Sequence, residues 1–203
     1  MVTLQLFFFT LLFSLPLGLL VALGRMSRFK PLQWLIRAYL LVMRGTPLML
    51  QLIFFWFGLK LGRYGFSRME TAIVAFVLNY AAYFAEIYRG GINSIDRGQY
   101  EAAHALGLSK KQTLFDIILP QTMKATFPPI VNEAITLIKD TALVSALGVV
   151  DLMKATNSAV NRMTSLTPFF YAAIIYLIMT FILTIIAGRL EKHFSRYDAK
   201  EEW

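Results

Sequence analysis

The residues of this chain whose types and spacing could do chemistry are polar and ionisable side chains set inside apolar runs. Asn79, Tyr83 and Glu86 fall at i, i+4 and i+7, so a helix carries them on one face. Glu133, Thr136 or Leu137, and Asp140 do the same in a later run, and Lys139 points about 100° away from its neighbour Asp140. An ionisable group inside a membrane span is costly, and by default it marks a pathway or a structural partner. If the two runs are aligned at their middles, Asn79 and Asp140 share a depth. Glu86 and Glu133 then lie roughly 10 Å further toward one end, at 1.5 Å per residue. A zwitterion suits this set: its carboxylate could meet Lys139, its ammonium Asp140, and a cationic side chain Glu133 or Glu86. The alternative is structural, with Glu86 paired to Arg89 one turn on and Lys139 to an acid on another helix.

The elements that must position these residues are membrane helices. The chain has 203 residues, 57% of them hydrophobic, with mean hydropathy +0.58 and 17 Phe. That apolar share exceeds the globular norm of about 45 to 50%. Five spans are expected, at about Val2–Gly24, Pro47–Leu61, Glu70–Tyr88, Pro129–Val150 and Pro168–Gly188. The first is read as a retained helix and not a cleaved signal peptide, because no positive residue precedes it, it is long, and Arg25, Arg28 and Lys30 follow it. Pro31–Met43 places Leu32, Leu35, Ile36, Tyr39, Leu40 and Met43 at helical spacing, as in an amphipathic interfacial helix. Gly45, Thr46 and Pro47 then punctuate, with Thr46 expected to cap the second span and Pro47 to begin it.

Charge sets the orientation. With the amino terminus outside, the inner segments hold Arg25, Arg28, Lys30, Arg37, Arg44, Arg89, Arg97, Lys110, Lys111, Lys124, Arg189, Lys192, Arg196 and Lys200. The outer segments hold Lys60, Arg63, Arg68, Lys154 and Arg162 alone, so the positive-inside rule places the carboxyl terminus and residues 101–120 in the cytoplasm. The net charge of +8 is therefore explained by topology, since the basic residues lie in short clusters without a soluble surface that could read nucleic acid. The absence of Cys and the presence of only two His argue against thiol chemistry and metal sites. No phosphate-binding GxxxxGK[ST] loop, nucleophile elbow or HExxH motif occurs, so an enzyme reading is poor.

One polar stretch interrupts this pattern. Asp96–Leu106 holds good helix formers and is followed by Gly107, suited to the left-handed residue that closes a helix. Ser109 with Gln112 is a capping-box pair, so a second short helix should start at Lys110 and stop before Pro120. Leu106, Leu108, Leu114, Ile117 and Ile118 give the elbow an apolar side fit for a partner's groove. Glu101, Ala102, Ala103 and Gly107, followed by Ile117, Leu119 and Pro120, compose EAA-x3-G-x9-I-x-LP. That arrangement resembles the cytoplasmic loop of permease subunits of ABC importers. Arg44, Gly45, Thr46, Pro47, Gln51, the Ala85–Gly90 stretch and Lys139-Asp140-Thr141 with Leu143 and Val144 resemble the polar amino acid branch, the histidine, arginine, lysine and glutamine permeases.

The resemblance implies an all-α integral membrane protein of about five transmembrane helices with a cytoplasmic helical coupling loop. Residues 1–203 would form a single permease domain, with the coupling loop at 96–120. Glu101, Ala102, Ala103, Leu106, Gly107 and Leu108 would couple to a separate ATPase subunit that holds ATP and Mg, with no cofactor in this chain. The implied setting is a prokaryotic inner membrane. The implied partners are a second permease subunit in a homo- or heterodimer, ABC ATPase subunits, an extracytoplasmic amino-acid-binding protein, the amino acid and lipid. A polar amino acid, with the basic ones among the candidates, is the expected substrate. The rival reading is a secondary transporter or channel that uses Glu86, Glu133 and Asp140 as a proton or cation path.

Overall fold

A computed structural model describes residues 2–194, without the side chains of 61, 62 and 192–194; the expected cytoplasmic residues Arg196 and Lys200 lie outside the described residues. Helices build most of the described chain, and no strand occurs among the described residues. The first helix, α1 (Val2–Met26), buries Thr3, Leu6, Thr10, Ser14, Gly18 and Ala22, a mostly small stripe at three- to four-residue spacing. That stripe lies against α4 (Arg68–Asn93). Leu6 clusters with Ala72 and Phe76, and Ala22 with Ala82 and Ala85, so the two helices run parallel. Gly18 permits the approach: a Cβ there would sit 2.8 Å from Phe84 Cβ and 3.0 Å from the Ala81 carbonyl oxygen. Small residues at such a crossing let helix backbones pack closely where apolar solvent supplies no hydrophobic drive.

Between them, α2 (Lys30–Gly45) is the expected amphipathic helix, with Ile36 and Leu40 turned onto Ala22, Ala82 and Ala85. Thr46 ends α2, and α3 (Leu48–Ile53) runs on through a π-helical turn at Phe54–Gly58. The side-chain cap expected of Thr46 is not observed, and Pro47, expected in the first turn of the helix, is instead its extended N-cap residue; the Thr46 hydroxyl donates to the Val42 carbonyl, 2.7 Å away, and accepts from Gln51 Nε2 at 2.9 Å. The result is a 109° bend between α2 and the α3 segment. The third long helix, α4, starts at a full capping box of Ser67 and Glu70, a pattern legible in the sequence.

The elbow follows. Asp96 caps α5 (Arg97–Ala105), and Gly107 adopts φ +74° as expected. Ser109 and Gln112 form the expected capping box at α6 (Lys110–Gln112). The expected stop before Pro120 is not observed. The chain passes through a π-helical stretch at Thr113–Ile118 directly into α7 (Leu119–Asp140). Pro120 falls in the first turn of α7, just after the widened stretch, where a missing N–H costs little. Correspondingly, the helix expected at Pro129–Val150 begins earlier and ends at Asp140. A 3₁₀ turn at Thr141–Leu147 follows, closed by Gly148 at φ +78°. Asp151 then caps α8 (Leu152–Met163), unforeseen from the sequence, by accepting from Met153 N and Lys154 N at 3.1 and 2.8 Å. The last helix is α9 (Thr167–Phe194).

Three helices among the described residues are long and apolar enough to cross a membrane: Val2–Met26, Arg68–Asn93 and Thr167–Glu191. The bent pair Lys30–Gly45 and Leu48–Gly58 makes four if it crosses as one. α7 is long but carries Lys124, Glu133, Lys139 and Asp140, too polar to count by composition. The core that holds these helices together includes Leu6, Leu52, Phe76, Tyr80, Phe84, Leu137 and Val144.

Candidate functional site

A polar cleft of about 380 Å³ opens where the α2–α3 bend meets α4 and α7. Thr46, Pro47 and Leu48 form its wall at the bend, Asn79, Tyr80 and Tyr83 come from α4, Glu133, Thr136 and Asp140 from α7, and Leu143 from the following turn. Helical spacing explains the gathering, since 79, 80 and 83 share one face of α4 and 133, 136 and 140 one face of α7. Asp140 and Asn79 line the same cavity, and the buried Tyr80 hydroxyl donates to Asp140 Oδ2 at 2.7 Å.

Asn79 also holds the bend. Its amide donates to the Met43 carbonyl at 2.9 Å and to Gln51 Oε1 at 3.0 Å. Gln51 in turn donates to the Met43 and Thr46 carbonyls and to the Thr46 hydroxyl, at 3.0, 3.1 and 2.9 Å. One wall of the cleft is therefore fixed by a polar knot in which carbonyls freed by the break in the helix find donors.

Of the residues singled out in the sequence, Asn79, Tyr83, Glu133, Thr136 and Asp140 meet at this cleft, and Glu86, Leu137 and Lys139 do not. Glu86 Oε2 accepts from Arg89 at 2.7 and 3.1 Å and lies 3.9 Å from Arg44 Nη1, the structural pairing foreseen as its alternative. Leu137 is fully buried in the apolar core, on the α7 face opposite to solvent. Lys139 is exposed and absent from the lining, so the carboxylate contact envisaged for it is not available in this arrangement. The cleft also holds Tyr80 and Leu48, which the sequence did not mark, and Thr46, Pro47 and Leu143, which it marked for the helix break or the family resemblance and not for a cleft. Tyr80 was legible: a phenol inside a span needs a partner, and it stands next to Asn79 at the depth of Asp140.

The lining carries two acids and no base among the described residues. Tyr80, Tyr83, Thr46 and Thr136 add hydroxyls. Arg44 stands beside the lining, with its Cζ 5.4 Å from the centre of the Tyr83 ring. Such a cleft suits a ligand that brings cationic groups and can hydrogen-bond its remaining oxygens to hydroxyls.

At the elbow, Ala103 is fully buried and its carbonyl accepts from Leu108 N at 3.0 Å, while His104 accepts from Gly107 N at 3.0 Å. Gln121 ties the elbow to α7, donating to Gln99 Oε1 at 3.1 Å. Glu101, Ala102 and Leu106 point outward, with Leu106 77% exposed, and Leu108 is half-buried. Leu114 is exposed as expected of a contact face, whereas Ile118 is turned inward and buried.

Apolar helices packed around a polar cleft, with a capped helical elbow beyond them, define a membrane transport subunit. The chain belongs to the family of binding-protein-dependent transport system inner membrane components, whose model matches residues 14–196. It is thus an ABC transporter permease, a multi-pass membrane protein of the kind this family places in the inner membrane. It is 40% identical over 199 residues to the arginine transport system permease protein ArtQ of Bacillus subtilis, covering 97% of this chain and 91% of that one. It is 36% identical over 200 residues to the L-cystine transport system permease protein TcyB of the same organism, covering 98% and 86%. A crystal structure of an amino acid ABC transporter with histidines superimposes with a TM-score of 0.86 at 33% identity, over 94% of this chain and 90% of that one.

Proposed function

We propose that this chain is the permease subunit of an ATP-driven importer of polar, and specifically basic, amino acids. The observation that carries the reading is that Glu133 and Asp140 share one cleft without a lining cation among the described residues. An α-ammonium and a cationic side chain would match the two acids, and the cleft hydroxyls and Arg44 would receive the carboxylate. Relatives named for arginine and cystine, and a solved transporter with histidines, support an amino acid as cargo.

The elbow at 96–120 is the docking point for a separate ATPase subunit, which carries ATP and Mg. Glu101, Ala102, Leu106 and Leu108 meet that subunit, while Ala103 and Gly107 set the elbow's shape. The amino terminus is outside and the carboxyl terminus cytoplasmic, which follows from the Lys and Arg distribution. A second permease subunit completes the path, and an extracytoplasmic binding protein delivers the amino acid. Motion driven by ATP turns the cleft from one side of the membrane to the other by rigid-body rocking.

The test is uptake of radiolabelled arginine into vesicles that hold the assembled transporter and binding protein. Accumulation should require ATP on the side of the ATPase. Accumulation driven by a proton or sodium gradient without ATP would instead identify a secondary transporter.

A further inference from the structure

A second cavity, of about 490 Å³, lies between α1, α2 and α4; it borders the cleft at Tyr83 and shares with it the Arg44 proposed to receive the carboxylate, but Arg25 and Arg37 belong to it alone. Arg25 from the last turn of α1 and Arg37 and Arg44 from α2 line it, with Leu40, Leu41 and Glu86. Three guanidiniums thus share a wall with one carboxylate, which Arg89 engages at 2.7 Å and Arg44 approaches to 3.9 Å, leaving Arg25 and Arg37 without an acid at salt-bridge distance among the described residues. Among the described residues, Arg25 Nε is buried and has no hydrogen-bond partner. The wall is short of negative charge, and guanidinium forks match the oxygens of an oxyanion.

The surroundings select the oxyanion. Arg25 stands at the end of a 25-residue apolar helix, long enough to cross roughly 30 Å of hydrocarbon and reach the headgroup level. Trp34, Arg37, Leu41 and Arg44 form one stripe along α2 at i, i+3, i+7 and i+10. Trp34 and Leu41 are 73% and 74% exposed. Tryptophan, leucine and arginine on one exposed stripe are the composition of a surface at a membrane interface. A small soluble anion would satisfy the arginines and leave that apolar stripe bare. We infer that this cavity holds the phosphate of an anionic phospholipid, whose acyl chains lie along Leu41 and Trp34.

Lipid retention on the full-length chain in detergent, read by native mass spectrometry, tests this with phosphatidylglycerol, phosphatidylcholine and inorganic phosphate as probes. Phosphatidylglycerol should bind at least about tenfold more tightly than phosphatidylcholine, because neutralising arginines near a membrane surface act on net negative charge. Arg25→Gln combined with Arg37→Gln should weaken phosphatidylglycerol about tenfold or more, and Arg28→Gln with Lys30→Gln, outside the lining, should not. Leu41→Glu changes an exposed position and puts a carboxylate among the same arginines, so it should displace the lipid without disturbing the fold. Equal binding of the two lipids, or undiminished phosphatidylglycerol on Leu41→Glu, overturns the inference. Inorganic phosphate binding as tightly as phosphatidylglycerol also overturns it, in favour of a soluble oxyanion.

Discussion

The Tyr80 hydroxyl, 2.7 Å from Asp140 Oδ2, joins α4 to α7 and supplies the cleft acid with a donor away from bulk water. Tyr80→Phe keeps the ring stacked on Phe76, whose centroid is 6.3 Å away, and removes only that donor. Leaving a buried acceptor unmatched typically costs about 1 to 3 kcal/mol; Asp140 is half-buried, so the loss should fall toward the lower end, and thermal unfolding in detergent should begin at a lower temperature than in the wild type. An unchanged unfolding curve would mean that Asp140 is served by water and that the bond is incidental. Much of this cleft was legible at the residue scale, because the periods of α4 and α7 put Asn79, Tyr83, Glu133, Thr136 and Asp140 on facing surfaces. Spacing alone could not assign Leu137 or Lys139. Thr136 and Leu137 differ by one helical step, and which of them meets the core depends on the rotation of α7 about its axis.

In the elbow, the caps are the features that sequence and structure share: Gly107 closes α5 and the Ser109–Gln112 box opens α6. Gly107 has φ +74° and open space where a Cβ would stand, so its constraint is conformational and not steric crowding. Gly107→Val should disfavour this backbone by about 1 kcal/mol or more. Copurification of the ATPase and ATP-driven uptake should both fall while membrane insertion is retained; normal values for both would remove the elbow from coupling. The second elbow helix runs past its expected end because Pro120 signals a break only if the preceding turn is a regular α-turn. The π-helical stretch at Thr113–Ile118 alters that context, and nothing in the local composition announces it. The Asp151 cap of α8 was visible in principle, but a short polar helix between two apolar runs reads equally well as a connecting loop.

Across the whole molecule, the parallel packing of α1 on α4 makes the two helices enter the membrane from the same side. Positive charge gathers at their carboxyl ends, at Arg25 and Arg89. The proposed orientation then has a direct consequence in a chain without cysteine. Ser109→Cys in the elbow should react with an impermeant thiol reagent only after the cells are opened, and Ser158→Cys on α8 should react in intact cells. Labelling of Ser109→Cys in intact cells would reverse the topology. The span count was the least legible feature at this scale, because a helix bent by 109° and a polar, proline-containing α7 both fall between the lengths and compositions by which spans are recognised.

The central claim is that the two acids of the cleft select a cationic amino acid. It is tested most directly by comparing arginine and glutamine uptake in vesicles that contain the assembled transporter, with and without Glu133→Gln. Losing the partner of a desolvated charge typically costs about 2 to 5 kcal/mol, and a neutral side chain has no charge to lose. Glu133→Gln should therefore depress ATP-driven arginine uptake at least about tenfold more than glutamine uptake, with subunit assembly and basal ATP hydrolysis unchanged. Equal uptake of both amino acids by wild type and variant would contradict the account, and would leave selection to the protein that delivers them.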